Sequence, residues 1–167
     1  MNKQIFITNG MARCGKDTFA KFLNEIVPTI KYSSIDKVKE IATLCGWKGE
    51  KTEIDRKFLS DLKVLTTEYY DMPFEEIKKN VIKFKEDNVN KIMLIDIREP
   101  EEIDRAKEIF KAKTILVENK NVKYISSNMA DANVFNYKYD YVVENNGTFD
   151  EFKENVRNFY KNCVKGR

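Results

Sequence analysis

Gly10-Met-Ala-Arg-Cys-Gly15-Lys16 has the spacing GxxxxGK, and Asp17 and Thr18 follow it. Glycines at such positions let backbone N–H groups turn inward around an anion. A helix starting there adds unpaired donors and a positive dipole end. The lysine supplies a mobile charge that reaches terminal phosphates. Gly10, Ala12, Arg13, Cys14, Gly15, Lys16, Asp17 and Thr18 are therefore expected to cradle the phosphates of a nucleotide. Within that loop the Arg13 guanidinium is placed to clamp a phosphate. Cys14 reads as a small residue in a tight loop rather than a reactive thiol. In the strict form of the motif a Ser or Thr hydroxyl follows the lysine and holds Mg²⁺. Asp17 stands there instead. Two readings fit it equally: a contact to the metal, directly or through water, or an acid favoured by the helix dipole.

A second acid, Asp96, closes the apolar run Lys91–Ile95, and Arg98 follows two residues later. Asp96 could orient Mg²⁺ or its water, and Arg98 could neutralise a further phosphate. The competing role for Asp96 is a cap on the helix opened by Pro100. Asp36 and Lys39 open another helix, where Ser34 as N-cap and Asp36 as first-turn acid form an ordinary helix start. Arg56 and Lys57 precede a third apolar helix pattern. A basic pair at a helix start opposes the dipole, which an anionic ligand would explain; a solvated surface pair is the competing reading.

The elements that must position these groups follow from periodicity. Ile5–Thr8 is a first buried strand, and Phe19, Ala20, Leu23, Ile26 and Val27 recur at helical spacing until Pro28. Ile30–Ser34 is a second strand. Val38, Ile41, Ala42 and Cys45 predict a helix stopped by Gly46. Lys48–Asp55 reads as a loop. Phe58, Leu62, Leu65 and Tyr69 predict a third helix, and Ile77, Val81 and Phe84 a fourth, entered through Pro73. Lys91–Asp96, Thr114–Val117 and Tyr139–Val143 are three more strands. A helix through Ile103, Ala106 and Phe110 follows Pro100. Thr148 and Glu151 have capping-box spacing before a last helix bearing Phe152, Val156 and Phe159. The aromatic residues on these helices are expected to fill the core. Strands alternating with helices, and lacking a polar face, predict a parallel sheet covered on both sides. Ligands then bind beyond the carboxyl ends of the strands, which sets Asp96 on the same edge as the glycine loop. Asn119–Lys138 is polar and weakly periodic, as lids over sites often are.

Composition narrows the chemistry. The 167 residues suit one domain without a disulfide staple. A net charge of +3 without any basic, aromatic-interleaved run argues against nucleic-acid binding. Three widely spaced cysteines form no CxxC pair, so neither zinc nor a disulfide framework is expected, and a reducing cytoplasmic setting is. With no histidine, catalysis must rest on Lys, Arg, Asp, Glu, hydroxyls and backbone amides. No stretch approaches the ~20 apolar residues of a membrane span.

Taken together these segments resemble a known family. Ile5-Phe-Ile-Thr-Asn-Gly10 with Arg13-Cys-Gly-Lys-Asp-Thr18 is similar to the GKDT loop of deoxynucleoside monophosphate kinases of phage and bacterial type, and animal-type phosphomevalonate kinases have a similar form. Ser34-Ile-Asp36-Lys-Val-Lys39-Glu-Ile-Ala resembles the family's DPLKEIA segment. Asp96-Ile-Arg98-Glu-Pro-Glu-Glu resembles DVRFPNE, and Tyr139-Asp-Tyr-Val-Val-Glu-Asn-Asn-Gly147 resembles DYVIxNxG. The resemblance implies an α/β, three-layer P-loop NTPase fold like that of nucleoside monophosphate kinases, with a mostly parallel five-stranded sheet. It implies one domain over residues 1–167, with a helical insert for the monophosphate around 35–88 and a lid around 119–138. MgATP would be the donor and a (deoxy)nucleoside monophosphate the acceptor. Lys16 would stabilise the transferred group, with Arg13 and Asp96 beside it in catalysis. Asp17 and Asp96 would hold Mg²⁺. Asp36, Lys39, Arg56 and Arg98 would bind the acceptor. Small nucleotides would be the partners, without nucleic acid or membrane, in a monomer or homodimer.

Two departures stand out. Lids of this fold carry arginines, but no arginine lies between Arg105 and Arg157; Lys120, Lys123 and Lys138 are the cations of the expected lid. A lysine lacks the planar fork of arginine, which shifts weight onto Arg13. Glu99 also stands where the family has an apolar residue, with consequences for acceptor choice. Two alternatives therefore remain: a kinase of another phosphorylated metabolite, such as phosphomevalonate, and a nucleotide-binding regulator without turnover.

Overall fold

Each of the predicted strand runs is found in a single parallel-type sheet, flanked by the helices that their intervening periodicity calls for. The computed structural model describes residues 2–122 and 134–165. In chain order the elements are β1 (Gln4–Asn9), α1 (Lys16–Ile26), β2 (Thr29–Ser33), α2 (Asp36–Leu44), α3 (Glu53–Tyr70), α4 (Met72–Glu86), β3 (Ile92–Asp96), α5 (Pro100–Phe110), β4 (Lys113–Glu118), β5 (Tyr141–Glu144) and α6 (Phe149–Phe159). A short 3₁₀ turn, Val134–Asn136, precedes β5, and a π-turn, Tyr160–Lys165, continues α6. None of the described helices is long and apolar enough to cross a membrane. Residues 123–133 of the segment expected as a lid, Lys123 among them, lie outside the described residues.

The strands run in the order β2-β3-β1-β4-β5. Parallel registers set Thr8 against Asp96, Asn9 against Leu116 and Glu118 against Glu144. β1 is thus central, as a strand delivering a ligand loop between neighbours must be. The start of β5 is fastened to β4 by a reciprocal pair. Asp140 accepts from the Thr114 backbone N–H at 2.8 Å and its hydroxyl at 2.9 Å, and returns its own N–H to that hydroxyl at 2.8 Å.

The chain forms two compact units: one made of the residues up to Lys31 and from Asp87 onward, the other of Tyr32–Glu86. In the first unit strand alternation sorts the core into two layers. Phe6, Ile92, Leu94, Ile115, Val117 and Val143 share one layer with Phe19 and Leu23 of α1 and Phe152, Val156 and Phe159 of α6. The alternate positions Ile7, Met93, Ile95 and Leu116 are buried too, and α5, contributing buried Ile103 and Ala106, packs against β1 and β4. Two apolar faces on one set of strands explain why these strands read as continuous hydrophobic runs. α6 starts with the expected capping box between Thr148 and Glu151.

In the second unit α2, α3 and α4 pack on one another. Three expectations are corrected there. α3 begins at Glu53, inside the stretch read as a loop, because Thr52 and Asp55 form a capping box. Arg56 and Lys57 therefore do not open the helix but follow the acidic first turn of Glu53 and Asp55. The N-cap of α2 is Ile35, not Ser34, and it makes no side-chain cap bond. Helical aromatics fill the core only in part: Phe74 and Phe84 are buried, whereas α3 buries none of its residues and Tyr69 is 90% exposed.

Phe159 ties β1, α1 and β5 together within the first layer of the first unit. Its ring meets those of Phe6 at 5.5 Å, Phe19 at 5.7 Å and Tyr141 at 5.5 Å, all edge-on. Phe159→Ala removes an edge-to-face hub and leaves a cavity, and is expected to cost about 3–5 kcal/mol of stability in urea unfolding. A loss below about 1 kcal/mol would mean that the C-terminal helix is not part of this core.

Candidate functional site

The loop from Gly10 to Gly15 joins the end of β1 to the start of α1, where the motif requires it. Its backbone is held in left-handed conformations at three places: Gly10 at φ 149°, Arg13 at 65° and Gly15 at 107°. At Gly10 a Cβ would strike the Val117 carbonyl of β4; at Gly15 it would stand 2.5 Å from the Asn145 side-chain nitrogen. Both glycines are therefore demanded by close packing as well as by φ. Arg13 adopts the strained conformation with a full side chain, and that side chain is exposed. No side chain caps α1, so the first N–H groups of the helix have no side-chain acceptor at the N-cap.

Two asparagines outside the expected site residues hold this loop in place. Asn9, itself buried, accepts from the Gly10 N–H at 2.8 Å and donates to Tyr139 Oη at 2.8 Å and to the Arg98 carbonyl at 3.3 Å. Tyr139 in turn donates to the Val134 carbonyl at 2.9 Å. Burial pushes Tyr139 up to about 12, against the smaller opposing effect of the Asn9 hydrogen bond, so it stays protonated and keeps donating. Asn145, just past β5, donates to the Cys14 carbonyl at 2.9 Å. In the sequence Asn145 is marked only by its place in the Tyr139–Gly147 segment. Cys14 is fully covered, and burial pushes its thiol up despite the neighbouring Lys16, as expected for an inert packing residue.

Lys16 lies across the loop. Its Nζ donates to the carbonyls of Gly10 at 2.6 Å and Met11 at 3.1 Å. Asp96 is brought to the same edge by the register of β3 on β1, and it accepts a hydrogen bond from the Thr8 hydroxyl opposite. Its role as a helix cap is not found: Glu99 is the N-cap of α5, and Pro100 occupies the first turn.

Asp17 and Asp96 meet on a single cation. Lys31 Nζ, from β2, contacts the Asp17 carboxylate and lies 2.8 Å from Asp96 Oδ2. Burial by itself would lower the Lys31 pKa; Asp96 and Asp17 outweigh it, and the net shift is upward, so the ammonium persists. Asp17 occupies the first turn of α1 and makes this pair as well, so the dipole and the cation both stabilise it. Two carboxylates able to share one ammonium are a donor set that suits a hard divalent ion such as Mg²⁺.

Of the remaining candidates, Arg98 is half-buried just past β3 in the first unit, whereas Asp36, Lys39 and Arg56 belong to the Tyr32–Glu86 unit. Asp36 accepts from the Ser33 N–H at 2.7 Å, and Lys39 stands 3.4 Å from Asp36. Arg56 Nε donates to the Lys51 carbonyl at 3.2 Å. Lys120, from the expected lid, pairs with Glu144 at 3.4 Å and Glu118 at 3.6 Å. Asn145→Ala frees the Cys14 carbonyl and unseats the loop. It is expected to weaken binding of a nonhydrolysable ATP analogue about tenfold in calorimetry; unchanged affinity would show that the loop is fixed without Asn145.

No family model matches the chain, and no curated protein matches it in sequence. Solved structures do. Dephospho-CoA kinase from Campylobacter jejuni is 17% identical with a TM-score of 0.57, over 98% of this chain and 99% of that one. Shikimate kinase from Aquifex aeolicus is 10% identical with a TM-score of 0.51, over 98% of this chain and all of that one. Thymidylate kinase from Candida albicans is 10% identical with a TM-score of 0.50, over 99% and 94%. At such identities the likeness speaks to the fold, and the fold is that of the P-loop kinases.

Proposed function

We propose that this protein transfers the γ-phosphoryl group of MgATP to a (deoxy)nucleoside monophosphate. The observation that carries this reading is the glycine loop, with Lys16 across it and two carboxylates converging beside it. Similarity in fold to P-loop kinases over nearly the whole chain supports it. The choice of acceptor rests on the family resemblance of Asp36, Lys39, Arg56 and Arg98, the groups proposed to bind it. The bound metal would draw charge from the phosphates. Asp17 and Asp96 would hold it. Lys16 and Arg13 would stabilise charge on the transferred group, for catalysis of this kind is mostly positioning and electrostatics. The proposed setting is cytoplasmic.

Because the matching kinases are named for different acceptors, a coupled ADP-release assay should span nucleoside and deoxynucleoside monophosphates together with phosphorylated metabolites such as phosphomevalonate. Stimulation by a nucleoside monophosphate is the expected result. Stimulation by another metabolite alone moves the acceptor assignment. Folded protein that binds ATP and releases no ADP with any acceptor is a regulator, not a kinase.

Arg13 sits within the loop, with its side chain exposed and its backbone at φ 65°. Without lid arginines to share the task, Arg13→Ala is expected to lower kcat by about 10³-fold while changing the Kd for ATP far less. Equal losses in both would make Arg13 a nucleotide anchor only. Arg13→Gly separates side chain from backbone: it relieves the positive φ, so it should lose turnover equally without losing stability.

A further inference from the structure

Lys31 plays no part in the sequence expectations, being one lysine within a short strand. In the fold its ammonium is the point on which Asp17 and Asp96 converge. The three groups are unequally sheltered. The Asp17 side chain is 95% exposed, Lys31 25% and Asp96 16%. Asp96 is also fixed by the Thr8 hydroxyl. The lysine therefore reaches from a strand of the sheet to a seated carboxylate and gathers in an exposed one from α1.

We infer that Lys31 is a tethered cation standing where Asp17 and Asp96 would hold a metal ion, and that it makes metal capture depend on bound nucleotide. The inference rests on the reading above, in which those two carboxylates hold the metal. Two carboxylates this near one point repel each other unless a cation lies between them. The ammonium supplies it and keeps both acids aimed at one place. It also leaves the trio with a single net negative charge. That is a weak attraction for a divalent ion, which gives up its water reluctantly and wants several anionic oxygens. Nucleotide phosphates bring the charge that is lacking. The metal would then be held with nucleotide and rejected without it. Lys31 is on this account a positioning residue, acting through Asp17 and Asp96.

Mn²⁺ is the probe, with unbound Mn²⁺ followed by electron paramagnetic resonance. In nucleotide-free protein, Lys31→Met and Lys31→Gln are expected to bind Mn²⁺ at least about tenfold more tightly than wild type, because a positive charge has left the site. Lys31→Arg, which keeps that charge, should match wild type. A nonhydrolysable ATP analogue should then raise Mn²⁺ affinity more in wild type than in Lys31→Met. If Lys31→Met and Lys31→Gln melt cooperatively yet bind Mn²⁺ no more tightly than wild type, Lys31 is a structural ion pair and the inference is overturned. Asp96→Asn, titrated with Mn²⁺ and the analogue, separates the two readings. Loss of affinity there, with no gain in the lysine variants, overturns the lysine inference and leaves the metal assignment standing. Unchanged affinity there removes the metal assignment and the lysine inference with it.

Discussion

In the sheet, Thr8 of β1 lies opposite Asp96 of β3, and Asn9 lies opposite Leu116 of β4. That register places the glycine loop and Asp96 at one edge, and it orients the Thr8 hydroxyl onto the Asp96 carboxylate. A slip of one residue would turn every side chain of β1 to the other layer. Phe6 would leave the layer it shares with α1 and α6, and Ile7 would enter it. The two buried layers make such a slip costly, so hydrophobic packing on both faces fixes the position of the charged groups at the edge. The site is a consequence of how the core is filled.

The loop itself is held more by polar contacts than by its own sequence. Gly10 and Gly15 take their positive φ freely, but Arg13 does not, and strain of this kind persists only where surrounding structure enforces it. Here the enforcement comes from outside the loop. Asn9 binds its first N–H, Asn145 binds the Cys14 carbonyl, and Val117 leaves no room for a side chain at Gly10. These groups come from the end of β1, from β4 and from beyond β5. The loop is thus locked between strands distant in sequence, which is what a preorganised anion cradle requires.

Two lysines anchor the polar groups at this edge. Lys16 rests on loop carbonyls, and Lys31 sits between two acids. Lysines carry the positive charge at both places. A lysine is a point charge on a flexible stem, able to exchange one set of oxygens for another with little geometric demand. Arginine would bind two oxygens in a fixed fork and give them up less readily. The exposed Arg13, in its strained backbone setting, is the one fork within the loop.

Much of this was legible in the sequence. The alternation of apolar strands and amphipathic helices implied the α/β class, and GxxxxGK between a strand and a helix located the loop. Both signals are local: periodicity of 2 or 3.6, and glycines at fixed spacing. The ends of helices were read less well. Thr52 and Asp55 begin α3 earlier than its apolar pattern does, because a capping box is polar and looks like loop. Other facts could come only from the folded chain. Asn9 and Asn145 act on a loop that is brought to them by strand pairing, 131 residues apart in the case of Asn145 and Cys14. Lys31 bridges Asp17 and Asp96 because the fold brings β2, the start of α1 and the end of β3 together. A side chain carries its chemistry in the sequence, but its partners are decided by register and layer packing, which no local pattern records.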